Sequence, residues 1–232
     1  MKIQILHLLE GAQQARGVAV IIDVFRAFSV EAYLFARGVE KIIPTAELEL
    51  AYQYKRKDPA VLLVGERGGA MCPGFDFGNS PSQVEHADLT GKTVIHTTSA
   101  GTQGLFGARS AAVVLGASLV NAAATADYIK SMDPTEVSLV CMGLAGRRHT
   151  EEDTLCAAYI KSLLEGHPLP LEAEIERIKI TSGAKFFDPQ NNIFPEADFH
   201  LCTKADIFPF ALRLVEDADG IRCMQKVLSC DA

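Results

Sequence analysis

The residues of this chain that could do chemistry fall in four short blocks, each placed where an apolar run gives out. They are Asp23 with Arg26; Glu66-Arg67-Gly68-Gly69; Thr97-Thr98-Ser99 with Gly101-Thr102; and Gly143 to Gly146 with Arg147-Arg148 and Glu151-Glu152-Asp153. Carboxylates, guanidinium groups, hydroxyls and glycines recurring at strand ends make up the chemistry of a metal-assisted anion site. Acids hold a divalent cation, while forked cations and bare backbone N–H groups hold oxyanions. Asp23 interrupts the most apolar run of the chain, 17–24. A charge there costs several kcal/mol unless it is paired or bound to a cation. A structural pair with Arg26 would meet that need, but the strand-end position favours a ligand or nucleophile.

The second block opens a long irregular stretch, 65–81. Gly68-Gly69 can take positive φ and bring backbone close to a ligand. Asn79-Ser80-Pro81 reads as a helix start, with Ser80 as cap, Pro81 in the first turn and Gln83 closing a capping box. Asn79 and Ser80 would then sit where helix N–H groups face an anion. Thr97, Thr98, Ser99, Gly101 and Thr102 form a second hydroxyl-and-glycine turn. It serves either as an ordinary cap or as a cradle for phosphate or sulfonate oxygens. Glu151, Glu152 and Asp153 suit the first turn of a helix, and Thr150 with Asp153 fits a capping box. The glycines and Arg147-Arg148 just upstream put the same acids on the edge that carries Asp23. His96 and His149 read as general acids or as structural residues, and Cys141 and Cys156 as packing. There is no Walker loop, and Asp23 lacks the second aspartate two residues on that haloacid-dehalogenase phosphatases use.

The elements that must position these blocks are strands and helices in alternation. Strand-like runs occur at 3–8, 17–24, 39–43, 61–64, 92–96, 111–116 and 137–141, with helical patterns at 28–37, 46–57, 121–132 and 150–165. After Pro168 the pattern predicts a helix at 172–179, a polar loop at 188–192, a short strand at 199–202 and a last strand at 222–228. The fold class expected is α/β: a three-layer α/β/α sandwich with a largely parallel or mixed central sheet. In such sheets ligands bind beyond the carboxyl ends of the strands, where the four blocks lie. The 232 residues read as one domain, 1–232, with 168–232 a small mixed extension.

A formal net charge of -7 argues against a nucleic-acid binder. An anion must then be met by a local arginine cluster or a metal. The six cysteines have no CxxC or zinc spacing and read as reduced cytosolic thiols. No signal peptide or membrane-spanning run is visible, so a cytoplasmic protein with a small anionic partner is expected, as a monomer or homo-oligomer.

Together the blocks resemble the 2-phosphosulfolactate phosphatase (ComB) family. The resemblance is carried by Ile22-Asp23-Val24-Phe25-Arg26-Ala27, by 65–69 with 74–81, by 97–102, and by 141–146 with Glu152-Asp153. It implies Mg²⁺-dependent hydrolysis of 2-phospho-3-sulfolactate to 3-sulfolactate and phosphate, a step towards coenzyme M. Within it, Asp23, Arg26, Glu66 and Arg67 would be catalytic. Asp23 and Asp153 would hold the metal, with Glu66 or Glu152 a further or water-mediated ligand. Arg26, Arg67 and Arg147 or Arg148 would grip the anions, beside Gly68, Gly69, Asn79, Ser80, Thr97, Thr98, Ser99, Gly101 and Thr102. Attack by Asp23 is preferred over attack by a metal-bound water, and both remain open. Two alternatives stand beside this one: a non-catalytic binder of a phosphorylated or sulfonated acid, and a phosphatase of another phospho-hydroxy acid.

Overall fold

The computed structural model of the protein describes residues 1–229. Its first half runs β1 (Lys2–His7), α1 (Leu8–Gln14), β2 (Val18–Ile22), α2 (Ala27–Ala36), β3 (Lys41–Pro44), α3 (Leu48–Lys57), β4 (Leu62–Arg67), β5 (Ala70–Met71), α4 (Pro81–Val84), β6 (Thr93–Thr97) and α5 (Gly101–Gly107). The second half adds β7 (Val113–Ala117), α6 (Ala122–Met132), β8 (Glu136–Cys141), α7 (Glu151–Glu165), α8 (Glu172–Ile180), α9 (Glu196–Thr203), β9 (Ala211–Glu216) and β10 (Arg222–Val227).

Strand β2 shows why the layers form. All five of its residues are buried. Ala19 and Ile21 join the cluster that includes Ala12 of α1 and Leu105 of α5, whereas Val18, Val20 and Ile22 join Tyr128 of α6 and Leu155 of α7. The period-two alternation of a strand thus buries both faces under helices, and the result is an α/β/α sandwich.

The sheet order is β1-β8-β2-β7-β9-β10-β3-β6-β4-β5. Strands β1, β8, β2 and β7 pair in parallel, as do β3, β6 and β4. The hairpin β9–β10 lies between these two groups and pairs antiparallel with β7 on one side and β3 on the other. The two parallel halves therefore run in opposite senses along the ladder. Their carboxyl ends nevertheless meet, because the Gly101 amide after β6 donates to Asp23 after β2 at 2.9 Å. The site blocks thus do not sit on one edge of a single parallel sheet. They sit where two half-sheets converge.

Two expectations are corrected. Residues 199–202 belong to helix α9, not a strand. Four residues, Phe199-His200-Leu201-Cys202, are too few to distinguish the two by period, and burial of Cys202 beside Phe199 and Leu201 breaks a strand's alternation. Neither expected capping box forms, since no side chain caps α4 or α7 at its own N-cap. The Ser80 hydroxyl instead donates to Asp198, Gln83 accepts from the Gly78 amide, and Asp153 reaches away to Val24 and Gly143. Within the last third of the chain, the β9–β10 hairpin joins the two halves of the sheet. Cys72, Cys141, Cys156, Cys202 and Cys223 are buried free thiols, and Cys230 lies outside the described residues. No helix among the described residues is long and apolar enough to cross a membrane.

Candidate active site

A cavity of about 280 Å³ opens at the convergence of the half-sheets, with Asp23, Arg26, Glu66, Asn79, Ser99 and Lys185 on its wall. Backbone at Gly68, Gly69 and Gly143 and the rings of Phe25 and Phe194 complete it.

Asp23 follows β2 directly and is almost fully buried. One carboxylate oxygen accepts from the Ala27 amide at 3.2 Å, at the start of α2, and the other from the Gly101 amide. Gly101 can approach only because it is glycine, since a Cβ there would stand 2.7 Å from Ala27 Cβ. Asp153 ties two strand ends together, accepting from Val24 at 2.8 Å and Gly143 at 2.7 Å. Glu66 does the same for two loops, accepting from the Gly69 and Ser99 amides at 2.6 Å each. Gly69 can turn this way at φ +88°.

The N–H groups that the sequence offers to a substrate anion are thus largely taken by the protein's own carboxylates. Buried acids need such partners, and backbone amides meet the need without adding a side chain. Gly68 likewise donates to the Ser99 hydroxyl, and Thr98 and Thr102 close on each other across the turn into α5. Thr97 accepts from Arg67, whose guanidinium also donates to the Glu66 and Ala46 carbonyls. Arg67 does not line the cavity, and neither do Arg147 and Arg148, which are exposed. Their loop contributes Gly143, Leu144 and Ala145 to the wall instead.

Arg26 is buried, and its Nη1 donates to Asp198 at 2.7 Å and to the Ile193 carbonyl at 3.1 Å. Its Nη2 donates to the Gly69 carbonyl at 3.1 Å, and the Phe194 ring lies 4.8 Å from its guanidinium carbon. Asp198, fully buried, also accepts from the Ser80 hydroxyl and the Ser82 amide, so it caps α4 from outside. Asn79 is fixed by His96 at 3.3 Å, which in turn contacts Glu31 at 2.8 Å. His96 therefore orients Asn79 rather than reaching the cavity. His149 packs against His7 with ring centroids 4.4 Å apart.

Burial pushes the Asp23 carboxyl up to about 6, against its two amide contacts, and the charges of Glu66 and Glu152 add to the rise. Asp153 is raised as well, first by burial and then by Glu152 and Asp23. A divalent cation would relieve this repulsion. Buried Glu152 also has an oxygen, Oε2, without a hydrogen-bond partner among the described residues. No three acidic, histidine or cysteine side chains among the described residues stand ready as a ligand set. The unpartnered Glu152 oxygen beside these buried acids is a hard oxygen donor of the kind that divalent cations take.

The sign of the Asp23 shift makes a prediction. A carboxyl raised from 3.8 to about 6 holds its proton more tightly in the folded state. Its contribution to stability is therefore most favourable below pH 4, falls as pH rises through 6, and then levels off. The penalty at neutral pH is on the order of 3 kcal/mol. In chelator, Asp23→Asn should gain thermal stability relative to wild type as pH rises from about 4 to 7. A Tm difference independent of pH would refute the shift.

A buried cluster of acids around a cavity at strand carboxyl ends, with cations on its wall, is the site of an α/β protein that handles anions. Comparison with known proteins gives the family. The 2-phosphosulpholactate phosphatase family matches residues 4–217, and the chain belongs to it. A probable 2-phosphosulfolactate phosphatase of Bacillus subtilis is 32% identical over 206 residues, covering 87% of this chain and 89% of the relative. One from Thermoplasma acidophilum is 34% identical, covering 88% and 91%. One from Carboxydothermus hydrogenoformans is 41% identical, covering 71% and 68%.

Asp198, Lys185, Phe25 and Phe194 are the site residues that sequence reading missed. Residues 196–203 carry too weak a helical period for the sequence to mark Asp198 as buried.

Proposed function

We propose that the protein hydrolyses 2-phospho-3-sulfolactate to 3-sulfolactate and phosphate, with Mg²⁺ as cofactor, the reaction type that leads towards coenzyme M. The observation that carries this reading is the pairing, on one cavity wall, of the amide-clamped Asp23 with the cations Arg26 and Lys185. Family membership supports the substrate class.

Asp23 and Glu152 would hold the ion, with Glu66 reached through water. When bound, Mg²⁺ would neutralise part of the phosphate charge beside these acids. Asp23 is the reacting carboxylate, held in one orientation by Ala27 and Gly101. Arg26 keeps its remaining donors for an oxyanion while Asp198 fixes its plane. Ser99 and Asn79 supply neutral polar contacts, and the phenylalanine rings keep water from the far wall.

The test is phosphate release from a panel of phosphorylated three-carbon hydroxy acids, with and without Mg²⁺. Release that is fastest with 2-phosphosulfolactate and is lost in chelator is expected. Tight binding of the panel without release would favour a non-catalytic binder, and faster release from another phospho-hydroxy acid would reassign the substrate. Rapid acid quench separates a phosphorylated Asp23 from attack by water that Asp23 deprotonates.

A further inference from the structure

We propose that Lys185 is the residue that selects the sulfonate of the substrate, an inference that rests on the reaction proposed above. The cavity wall carries two cations among the described residues, and they differ in what is free. Arg26 has its charge paired with Asp198 and both Nη1 donors and one Nη2 donor taken by Asp198, Ile193 and Gly69. The Lys185 ammonium has no carboxylate within ion-pairing distance among the described residues. It lies instead among three ring faces, 4.9 Å from Phe194, 5.4 Å from Phe186 and 5.6 Å from Phe25.

Such a cage holds a cation by ring quadrupoles while removing much of its water. Burial accordingly lowers the lysine's affinity for its proton, the charges of Glu152, Asp23 and Asp153 act against that, and an anion alongside would favour the charged form further. A half-buried ammonium with three N–H donors and no acidic partner is complementary to a group with three equivalent acceptor oxygens and a permanent charge. Sulfonate and phosphate both present three such oxygens, but only the sulfonate keeps one fixed charge, matched to one ammonium, at any working pH. Glu152, Asp23 and Asp153 act on the Lys185 charge across the cavity, and in this assignment the phosphate lies on their side while the ammonium is left to the sulfonate. Beside these rings a diffuse, weakly hydrated sulfonate loses less hydration than a carboxylate would, although the ring faces themselves attract only the ammonium. Lys185 sits in the short turn 184–186 between α8 and α9. The C-terminal third would thus supply specificity, while the reacting carboxylate comes from β2.

The test compares 2-phosphosulfolactate with 2-phospholactate, which has methyl in place of sulfomethyl and keeps the carboxylate and phosphate. Both are assayed with Mg²⁺ on wild type, Lys185→Met and Lys185→Arg. Methionine keeps a polarisable stem inside the rings, and arginine keeps the charge. Lys185→Met is expected to lose roughly 30-fold or more in kcat/KM on the sulfonate substrate, chiefly through KM, with about threefold change or less on 2-phospholactate. Lys185→Arg should fall between. An equal loss on both substrates, or none on either, overturns the assignment. If wild type releases phosphate from neither, the proposed reaction fails, and calorimetric titration with 3-sulfolactate and with lactate decides the role of Lys185 on its own. Wild type should bind 3-sulfolactate more tightly, and Lys185→Met should abolish that preference. No preference in wild type, or one that survives Lys185→Met, refutes it.

Discussion

Asp23→Asn is expected to reduce phosphate release roughly 10²- to 10⁴-fold, the range lost when a positioned acid or base is removed, while the protein stays folded. The substitution is nearly isosteric, and Asp23 sits on the cavity wall with both oxygens directed by backbone amides. An asparagine can accept from one of those amides, but must turn its own NH₂ towards the other. That mismatch costs about 1–3 kcal/mol. Removing a buried charge next to Glu66 and Glu152 acts in the opposite direction and offsets most of it at neutral pH. Activity and stability should therefore separate, with turnover collapsing and Tm shifting by only about 5 °C or less. Mg²⁺ should raise the wild-type Tm, as any ligand of the folded state does, and raise that of Asp23→Asn less. Normal turnover in the folded variant would show that Asp23 only joins β2 to its neighbours, and the reaction would need another carboxylate.

How much of this site could be read from the sequence depends on whether a residue's role is local. Asp23 was legible because a charge at the end of an apolar strand needs a compensating partner wherever it lies. Glu66 was legible by the same strand-end argument, and so were the flanking helices from their period. What the chain could not disclose is where each polar group finds its partner. The Gly69 and Gly101 amides read as anion donors, yet they bond to Glu66 and Asp23. That pairing joins positions three and seventy-eight residues apart, and only the second closes a long loop. Arg67 and Arg26 are equal as sequence letters, and burial alone separates the arginine on the cavity wall from the one that braces Ala46 and Thr97. The cage around Lys185 draws Phe25 from one end of the chain and Phe186 and Phe194 from the other, so no window contains it. The insertion of β9–β10 between the two parallel halves is non-local in the same sense, since strand pairing carries no record in the strand's own residues.

Asp198 combines these two lessons and carries the largest expected loss of stability. It is fully buried, and its partners are the Arg26 guanidinium, the Ser80 hydroxyl and the Ser82 amide. In Asp198→Ala, Arg26 becomes a buried cation without a counter-charge, and α4 loses the acceptor at its N-terminus. Breaking a buried pair from one side costs about 3–5 kcal/mol, which for a chain of this size lowers Tm by roughly 10 °C. The penalty comes from the unpaired charge, so removing both charges should cost less than removing one. Arg26→Met combined with Asp198→Leu is expected to recover part of the lost stability, because apolar replacements of a buried pair are often tolerated. Activity should not return with it, since the double variant leaves the cavity without its guanidinium. Thermal unfolding and phosphate release, measured on the single and double variants side by side, distinguish the outcomes. Recovery of both would make Arg26 a structural residue only. A single variant as stable as wild type would mean that solvent reaches the pair, contrary to its burial.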